Sequence, residues 1–497
     1  MSEEREDKLD VKRRMPGTSK PRTAAQTNPT DNKREIKVLT YFFVALFLGM
    51  MVYLGNFVYH NEQDMINNSY NSRTEILLSK NYRGSILAQD GEVLAETVID
   101  SFGNEKRKYP YGSLFSHSVG YATNGRLGIE ALCNYYLINS NLNLSDKVAN
   151  STINKKNPGD NVYSTLDVAI QEAANKALGI YDGAIIVTEV KTGRILCMLS
   201  KPDFDPHEIA EIWPKLVEDK ESTVLLNRVT QGLYPPGSTF KIVTALEYIR
   251  QNPSSYATYN YSCNGSFRYG DSKISCYHGA NHGAVSFEKS FAKSCNSSFA
   301  NIGTGLDMDK FANTLDKLMF NKELPFDVSK TSISSLAVSE EMSEDDRVQT
   351  SIGQGKTLIT PLHLNMITAA IANDGELMEP YMVDKIVSYD GKVIKSYKPS
   401  SVGRLMTENE ASILQEMMAE VVQSGTATKL KGHGYEAAGK TGSAEYNSDS
   451  DSHAWFTGFA PADEPEIAVT VIVESAGSGG DYAVPMARRV FDAYFAQ

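Results

Sequence analysis

The strongest constraint on this chain is an uncharged apolar segment, residues 38–59, with the sequence VLTYFFVALFLGMMVYLGNFVY. As a helix it would be ~33 Å long at ~1.5 Å per residue, enough to cross a bilayer core. A buried helix of a soluble protein seldom runs so far without a polar face. A signal peptide has a shorter apolar part followed by a small-x-small cleavage site, whereas HNEQD follows here at residues 60–64. We therefore predict an uncleaved transmembrane helix over residues 36–59.

The charges on either side of this segment predict its orientation. Residues 1–37 contain ten Lys or Arg and seven Asp or Glu, which gives this segment a net charge of +3. The whole chain has a net charge of −12, so the residues after position 37 have a net charge of −15. Basic flanks remain in the cytoplasm. We expect a cytoplasmic N-terminus and place everything after residue 59 outside the cell, where neither ATP nor nicotinamide is supplied.

Composition narrows the possible functions further. A length of 497 residues allows about three domains, and 41% hydrophobic with 22% charged residues is ordinary for a folded chain. An acidic chain with no basic block after about residue 40 is a poor candidate for binding nucleic acid. Five cysteines are too few for a disulfide scaffold, and no Cys-x-x-Cys pair indicates zinc. We expect neither a metal nor a cofactor.

The sequence predicts four regions with different folds. Polar residues and three prolines indicate a disordered cytoplasmic tail, a hairpin signal at Asp90-Gly91 indicates β structure, and KKNPGD at residues 155–160 is typical of a linker. The regions are a tail (1–35), the transmembrane helix (36–59), a small β-rich membrane-proximal module resembling a pedestal or dimerisation domain (60–155) and a large α/β domain (156–497).

The large domain has predicted strands near both of its ends and helices between them. The strands are predicted at 183–188, 194–199 and 467–473, and helices at 166–178 and 485–495. This order predicts an α+β fold with a central antiparallel sheet covered by helices.

The segment YPPGSTFK, residues 234–241, contains the best candidate for a nucleophile. A helix is predicted to begin near Ser238, so that Ser238 and Lys241, three positions apart, share one helical face. A lysine held away from water has a lowered pKa and can take the proton that makes serine a nucleophile. The same S-x-x-K pattern occurs at 286–289 and 290–293, so the pattern alone does not decide.

Two further motifs supply the missing context. Ser294-Cys295-Asn296 is an S-x-N motif, at the end of a helix predicted to begin near Val285. Lys440-Thr441-Gly442-Ser443 is a K-T-G-[ST] motif that precedes the strand-like Trp455-Phe456. S-x-x-K, S-x-N and K-T-G in this order are typical of the penicilloyl-serine transferases.

Two other motif matches are assigned no chemistry. KTG at residues 191–193 lies in a predicted turn and precedes the serine. GYEAAGKT at 434–441 matches the Walker A pattern, but a phosphate loop needs a buried strand before it and a helix after it, and neither is predicted.

With these motifs the sequence resembles the class B penicillin-binding proteins, the monofunctional peptidoglycan transpeptidases, over nearly everything after residue 35. Further matching segments are 83–86, 128–130, 164–167, 201–206, 227–228, 352–355, 360–361, 372–375 and 425–427. The departures are small. AQDG stands at 88–91 where the family often has DRNG, and Ser443 stands where threonine is commoner.

The resemblance implies a D,D-transpeptidase that cross-links peptidoglycan stem peptides and is inhibited by β-lactams. Ser238 would attack the penultimate D-Ala carbonyl with Lys241 as its base. Ser294 would pass a proton between that lysine and the leaving group, and Asn296 would hydrogen-bond the substrate amide.

The same resemblance assigns the substrate-binding groups and a partner. Lys440, Thr441 and Ser443 would hold the substrate carboxylate, and Gly442 would let substrate approach the strand edge. Backbone N–H groups of Ser238 and Ser443 would form the oxyanion hole. A separate multi-pass membrane glycan polymerase would contact the anchor and the membrane-proximal module.

Three alternatives remain open from the sequence. A β-lactam-hydrolysing or β-lactam-sensing relative would share the motifs, although such proteins usually lack the 60–155 module. A catalytically silent wall scaffold would not need both lysines. Cys263 and Cys276 are either bridged or two free buried thiols.

Overall fold

The computed structural model describes residues 29–67, 73–326, 330–445 and 451–497, and the chain divides into two compact units, Met1–Met65 and Ile66–Gln497. A long helix, α1 (Pro29–Asn67), begins in the first unit. Its residues Lys33–Val58 have a mean hydropathy of 2.1 and are long and apolar enough to cross a membrane. Of the predicted tail, residues 1–28 lie outside the described residues. Residues 29–35 form the start of α1, where Pro29 is tolerated because the first turn has no hydrogen bond to lose.

The second unit contains the other described helices and strands, numbered here in chain order. The helices are α2 (Arg73–Lys80), α3 (Gly128–Leu132), α4 (Asn134–Ile138), α5 (Leu144–Thr152), α6 (Val168–Leu178), α7 (Ile209–Glu218), α8 (Lys241–Gln251), α9 (Phe287–Ala292), α10 (Asn296–Thr304), α11 (Met308–Lys317), α12 (Glu344–Ser351), α13 (Pro361–Ala372), α14 (Glu408–Gln423) and α15 (Ala483–Phe495). The strands are β1 (Asn81–Tyr82), β2 (Ile86–Leu87), β3 (Val93–Ile99), β4 (Glu105–Lys108), β5 (Asn157–Pro158), β6 (Asn161–Ser164), β7 (Gly183–Glu189), β8 (Ile195–Lys201), β9 (Asn260–Cys263), β10 (Ser266–Tyr269), β11 (Ser272–Ser275), β12 (Gly283–Ser286), β13 (Glu376–Met378), β14 (Val383–Val387), β15 (Val393–Ser396), β16 (Ser401–Arg404), β17 (Ala438–Ala444), β18 (His453–Ala460) and β19 (Ile467–Val473).

A six-stranded sheet has the order β15-β14-β6-β2-β3-β4. Strands β2 and β3 form the hairpin predicted at Asp90-Gly91, where Gly91 has a φ of 94°. Strands β14 and β15 come from the second half of the chain, and β5, inside the predicted linker, pairs with β1. The sheet that begins in the membrane-proximal module therefore continues across the predicted boundary at residues 155–156.

A buried ion cluster links the first strands of this sheet to α3. The Glu130 carboxylate, which is 0% exposed, accepts from Arg83 Nε at 2.5 Å and from Arg107 Nε at 2.8 Å. Arg83 also donates to the Glu130 carbonyl oxygen at 2.6 Å. Two guanidinium groups thus compensate one buried carboxylate within segments 83–86 and 128–130 and strand β4.

The central sheet of the large domain is antiparallel throughout, as predicted, with the order β17-β18-β19-β7-β8. The predicted strand at 467–473 is β19, and each of its residues is buried. Since successive side chains of a strand point to opposite faces, helices must cover both faces of the sheet. Helices α6, α13 and α15 pack against it, and α13 is buried along its whole length.

Side-chain caps explain where two of these helices begin. Asp167 caps α6 by accepting from the Ile170 N–H, and Thr360 caps α13 with Pro361 in its first turn. The helices predicted at 166–178 and 485–495 are α6 and α15. The helix predicted to begin near Val285 is α9, which begins at Phe287 after its Ser286 cap, while Val285 itself ends up in β12, paired with Tyr261 of β9.

Candidate active site

Ser238 lies in a short 3₁₀ turn, Gly237–Phe240, that leads directly into α8. Gly237 has a φ of 53°, and a Cβ there would come within 2.9 Å of the Ser443 carbonyl oxygen, so glycine lets the turn pack against the edge strand β17. The Trp455 indole N–H donates to the Pro235 carbonyl at 3.1 Å and fixes the preceding loop on β18. The turn therefore presents a partly buried Ser238 beside β17.

Lys241 is the first residue of α8, and its side chain is 0% exposed. Its amine donates to the Ser294 carbonyl oxygen and to Asn296 Oδ1, both at 2.7 Å, and lies 3.2 Å from Ser294 Oγ. Burial lowers the pKa of Lys241 to about 7. Within the described part of the chain no hydrogen bond joins Ser238 Oγ to the Lys241 amine, because this amine is directed at the S-x-N turn.

The S-x-N motif forms the turn between α9 and α10. Ser294 has a φ of 55°, a left-handed conformation that is uncommon for a residue with a Cβ. Cys295 caps α10, with its Sγ accepting from the Ser298 N–H at 3.4 Å. Asn296 Nδ2 donates to the Ser275 carbonyl at 3.0 Å. Contacts on both sides therefore hold the turn in this conformation.

Lys440 approaches the same hydroxyl from the opposite direction. It lies in β17, is 0% exposed, and its amine donates to Ser294 Oγ and to the Thr441 carbonyl, both at 2.9 Å. Burial, and then the charge of Lys241, hold the pKa of Lys440 well below its usual range. The family resemblance implies that Lys440 holds the substrate carboxylate, and in the structure without substrate its amine donates to Ser294 Oγ.

The rest of the K-T-G-S motif faces the cleft. Thr441 Oγ1 lies 2.5 Å from Thr426 Oγ1, and Ser443 Oγ accepts from the Gly479 N–H at 3.2 Å. A Cβ at Gly442 would come within 2.9 Å of the Pro236 carbonyl oxygen. The glycine is thus required for β17 to pack against the turn that carries Ser238.

The predicted site residues converge on a cleft of about 440 Å³. The lining includes Ser238, Ser294, Asn296, Thr441, Gly442 and Ser443, together with Tyr277, Ala280, His282, Lys293, Thr426, Thr428, Lys429, Ser478, Gly480 and Asp481. Thr426, from this second group, lies in segment 425–427, which matches the family, but it was not predicted as a site residue. The loops that carry the others reach the cleft through long-range contacts, such as the 2.6 Å ion pair between Lys429 and Asp481.

The competing motif matches have structural roles. Ser286 caps α9, and the buried Ser290 accepts from Ser298 Oγ at 2.7 Å, so neither S-x-x-K serine is placed as a nucleophile. KTG at 191–193 lies in the turn between β7 and β8, away from the edge strand β17. The Walker A match at 434–441 ends inside β17, so a strand continues directly after it where a phosphate loop needs a helix.

Cys263 and Cys276 are both free thiols. Their sulfur atoms are 3.7 Å apart, whereas a disulfide requires about 2.05 Å, so the bridged alternative is wrong. Cys295 and His282 join them, and the four possible ligand atoms lie within 4.8 Å of one another. No short spacing in the sequence indicates this cluster, because its members are 13, 6 and 13 positions apart and only the fold brings them together.

Two family models match most of this chain. The model described as penicillin binding protein transpeptidase domain matches residues 183–492, which include every predicted site residue. The model described as penicillin binding protein A dimerisation domain matches residues 83–162.

Curated relatives and solved structures agree with these matches. The chain is 30% identical over 442 residues to the peptidoglycan D,D-transpeptidase PbpA of Mycolicibacterium smegmatis, across 82% of this chain and 87% of the relative. It is 30% identical over 441 residues to the peptidoglycan D,D-transpeptidase MrdA of Acinetobacter baumannii, across 78% of this chain and 65% of the relative. The imipenem acyl-enzyme complex of penicillin-binding protein A from M. tuberculosis has a TM-score of 0.77 and 28% identity, covering 84% of this chain and 99% of that one.

The environment of Lys241 predicts how reactivity at Ser238 depends on pH. A lysine accepts a proton only when neutral, so with a pKa of about 7 the acylation rate constant should rise as the pH rises through about 7 and then level off. Lys241→Arg keeps the charge but cannot deprotonate at usable pH, and acylation should fall ~10²-fold or more. Stopped-flow measurement of acylation by penicillin G from pH 5 to 9 checks both.

Lys289→Arg provides the matched control, since Lys289 is the exposed lysine of a competing S-x-x-K match. It should leave the rate and the pH profile unchanged. Near-normal acylation in Lys241→Arg, or a wild-type rate independent of pH around 7, would contradict the role of Lys241 as a base.

Proposed function

Because the chain belongs to the penicillin-binding protein transpeptidase family, we propose that it is a peptidoglycan D,D-transpeptidase whose nucleophile is Ser238. The observation that carries this proposal is the convergence of the Lys241 and Lys440 amines on Ser294 Oγ, in the cleft that Ser238 also lines. A nucleophile, a buried base and a hydroxyl between two amines are the groups that acyl transfer requires.

The first half-reaction forms an acyl-enzyme. Ser238 Oγ attacks the penultimate D-Ala carbonyl while neutral Lys241 accepts its proton. The Ser294 hydroxyl donates a proton to the leaving amine and is reprotonated by a lysine. The C–N bond to terminal D-Ala then breaks and D-Ala departs, while the new C–O bond to Ser238 remains. Backbone N–H groups of Ser238 and Ser443 stabilise the oxyanion, consistent with the close packing of the turn on β17.

The second half-reaction forms the cross-link. An amine from a neighbouring stem peptide attacks the acyl carbonyl and loses a proton through the same groups, and the C–O bond to Ser238 breaks. Asn296 retains hydrogen-bonding capacity for the substrate amide, because its Oδ1 and Nδ2 each make one of the two bonds available to them.

We assign recognition of the substrate carboxylate to Thr441 and Ser443, whose side chains line the cleft. Lys440 acts from behind them, because its buried amine donates to Ser294 Oγ without itself lining the cleft. This division separates binding from proton transfer within one β-strand.

The assignment of the nucleophile predicts one covalent adduct. Intact-mass measurement after treatment with penicillin G should show a single penicilloyl group, mapped by peptide analysis to the segment containing Ser238. Ser238→Ala should abolish it. Ser286→Ala, which removes only the cap of α9 at a cost of about 1 kcal/mol, should retain it.

An adduct on Ser286 or Ser290 would refute the assignment. The adduct's lifetime separates the related functions, since a transpeptidase retains the penicilloyl group whereas a β-lactamase hydrolyses it within the assay. Absence of any adduct on the folded chain would favour a silent scaffold.

We further propose that α1 anchors the chain with its N-terminus in the cytoplasm and the catalytic unit outside the cell. The apolar span and the basic residues Lys33, Arg34 and Lys37 at its start support this orientation. We assign residues 60–155 to a pedestal and residues 156–497 to the catalytic domain. The anchor and pedestal would contact a separate multi-pass glycan polymerase, because Gly49 and Gly55 let other helices approach closely.

Exchange of the anchor tests the partner. Replacing residues 36–59 with an unrelated single-pass helix should retain penicillin labelling but impair cross-linking or growth in cells that depend on this protein. An exchange for an apolar segment that keeps glycines at positions 49 and 55 serves as the control and should restore part of the function. Normal wall synthesis with the unrelated helix would leave the anchor as a tether alone.

A further inference from the structure

The terminal carboxylate of a stem peptide needs a positive charge that the residues assigned to it do not supply. Thr441 and Ser443 offer neutral hydroxyls, and the buried Lys440 amine does not line the cleft. Among the described residues that do line it, the lysines are Lys293 and Lys429. A cation that donates to a carboxylate makes one of the stronger hydrogen bonds. We infer that Lys429 binds the substrate carboxylate, an inference that rests on the proposed transpeptidase function.

Lys429 already binds a carboxylate, one that belongs to the chain itself. Its amine donates to Asp481 Oδ1 at 2.6 Å, and both side chains line the cleft. The hydrogen bond from Lys429 is the main reason that the pKa of Asp481 lies below its usual value. The geometry thus shows that a carboxylate fits against this amine inside the cleft. Asp481 is then an internal counter-ion of Lys429, and the substrate carboxylate replaces it.

The segment that carries Lys429 is fixed beside the K-T-G-S strand. Lys429 lies in a 3₁₀ turn, Thr428–Leu430, and this turn is anchored by Leu430, which is 1% exposed. Thr426, three residues before Lys429, has its Oγ1 2.5 Å from Thr441 Oγ1. The lysine therefore starts from a rigid backbone next to a hydroxyl assigned to the carboxylate, and its flexible side chain can follow the ligand.

The loop that carries Asp481 is fixed to the same strand. The Gly479 N–H donates to Ser443 Oγ at 3.2 Å. A Cβ at Gly480 would come within 2.9 Å of the Thr426 carbonyl oxygen, so this loop packs closely on the Lys429 segment. The ion pair therefore lies beside both hydroxyls that are assigned to the substrate carboxylate.

Two observations favour this role over the alternatives. The side chains of Lys429 and Asp481 are 49% and 64% exposed, and so exposed an ion pair stabilises a fold little, which leaves ligand binding as its main effect. The other lysine, Lys293, donates to the Ser424 carbonyl and so ties the end of α9 to the loop after α14. Lys293 thus has a structural partner, whereas the partner of Lys429 is a carboxylate in the cleft.

Acylation of the full-length chain in detergent by penicillin G and by its methyl ester tests the inference. The ester lacks the negative charge that corresponds to the terminal carboxylate of a stem peptide. Stopped-flow measurement should give a larger second-order rate constant for the acid. Lys429→Met should lower the constant for the acid ~10-fold, the scale of one hydrogen bond to a charged group, and leave that for the ester unchanged. Asp481→Asn removes the competing anion and should raise the constant for the acid ~3-fold.

Two further variants control for charge and structure. Lys429→Arg keeps the positive charge and should retain most of the constant for the acid. Lys431→Met removes a neighbouring exposed lysine, whose amine donates to the Gln423 carbonyl at 3.3 Å and which is not among the residues lining the cleft. It should change neither constant.

Several results would overturn the inference. They are equal constants for the acid and the ester in the unaltered chain, an equal loss for both compounds in Lys429→Met, and a loss confined to the acid in Lys293→Met but not in Lys429→Met. A constant for the acid that does not rise in Asp481→Asn would overturn the role of Asp481 as a counter-ion. The ester separates this inference from the proposed function, because its reaction with Ser238 needs no carboxylate. If the ester acylates Ser238 while Lys429→Met behaves like Lys431→Met, only the binding role fails. If neither compound forms an adduct, the proposed function fails and the binding role with it.

Discussion

The hydroxyl of Ser294 lies between two lysine amines that the fold has removed from water, and the chemistry of the cleft depends on that arrangement. The amines are 3.2 and 2.9 Å from this oxygen. They are therefore within about 6 Å of each other, where two positive charges repel by about 3 kcal/mol at an effective dielectric constant of 20. Both side chains are 0% exposed, so burial adds to the cost of charging both. The arrangement favours a neutral Lys241 that accepts a proton beside a hydroxyl that can pass one on.

The rest of the fold serves to bring these groups together. Lys241 begins a helix, Lys440 lies in the edge strand of the central sheet, and Ser294 lies in a turn between two further helices. Glycines allow the turn that carries Ser238 and the edge strand to touch, since a Cβ at Gly237 or Gly442 would meet backbone atoms at 2.9 Å. The sheet is buried on both faces, which gives this edge a rigid support.

Local sequence signals predicted the elements and the motifs but not their approach to one another. Strand β19 and the capped helix α6 follow from apolar patterns and from Asp167, and motif order identified Ser238 among three S-x-x-K serines. Helix α9 begins two residues after the predicted Val285, because Val285 pairs with β9, a long-range contact. Pairing of β2 with β6 across the predicted domain boundary is also a long-range contact.

The cysteine cluster shows the same limit at the level of a site. No short spacing connects Cys263, Cys276, His282 and Cys295, and the sequence allowed a disulfide as readily as free thiols. Two strand ladders and a helix cap decide their geometry. The hydrogen bond from Lys440 to Ser294 has a similar origin, because burial of its amine depends on residues from across the domain.

Direct titration of the lysine amines by nuclear magnetic resonance tests the central claim, using full-length protein with lysine labelled at Cε and Nζ. The account predicts one amine that titrates near pH 7 and disappears in Lys241→Arg, and a second, lost in Lys440→Arg, that titrates well below the usual range. Ordinary lysines titrate near ~10.4. If every lysine signal titrates there, Lys241 is charged at neutral pH and the proposed base does not exist.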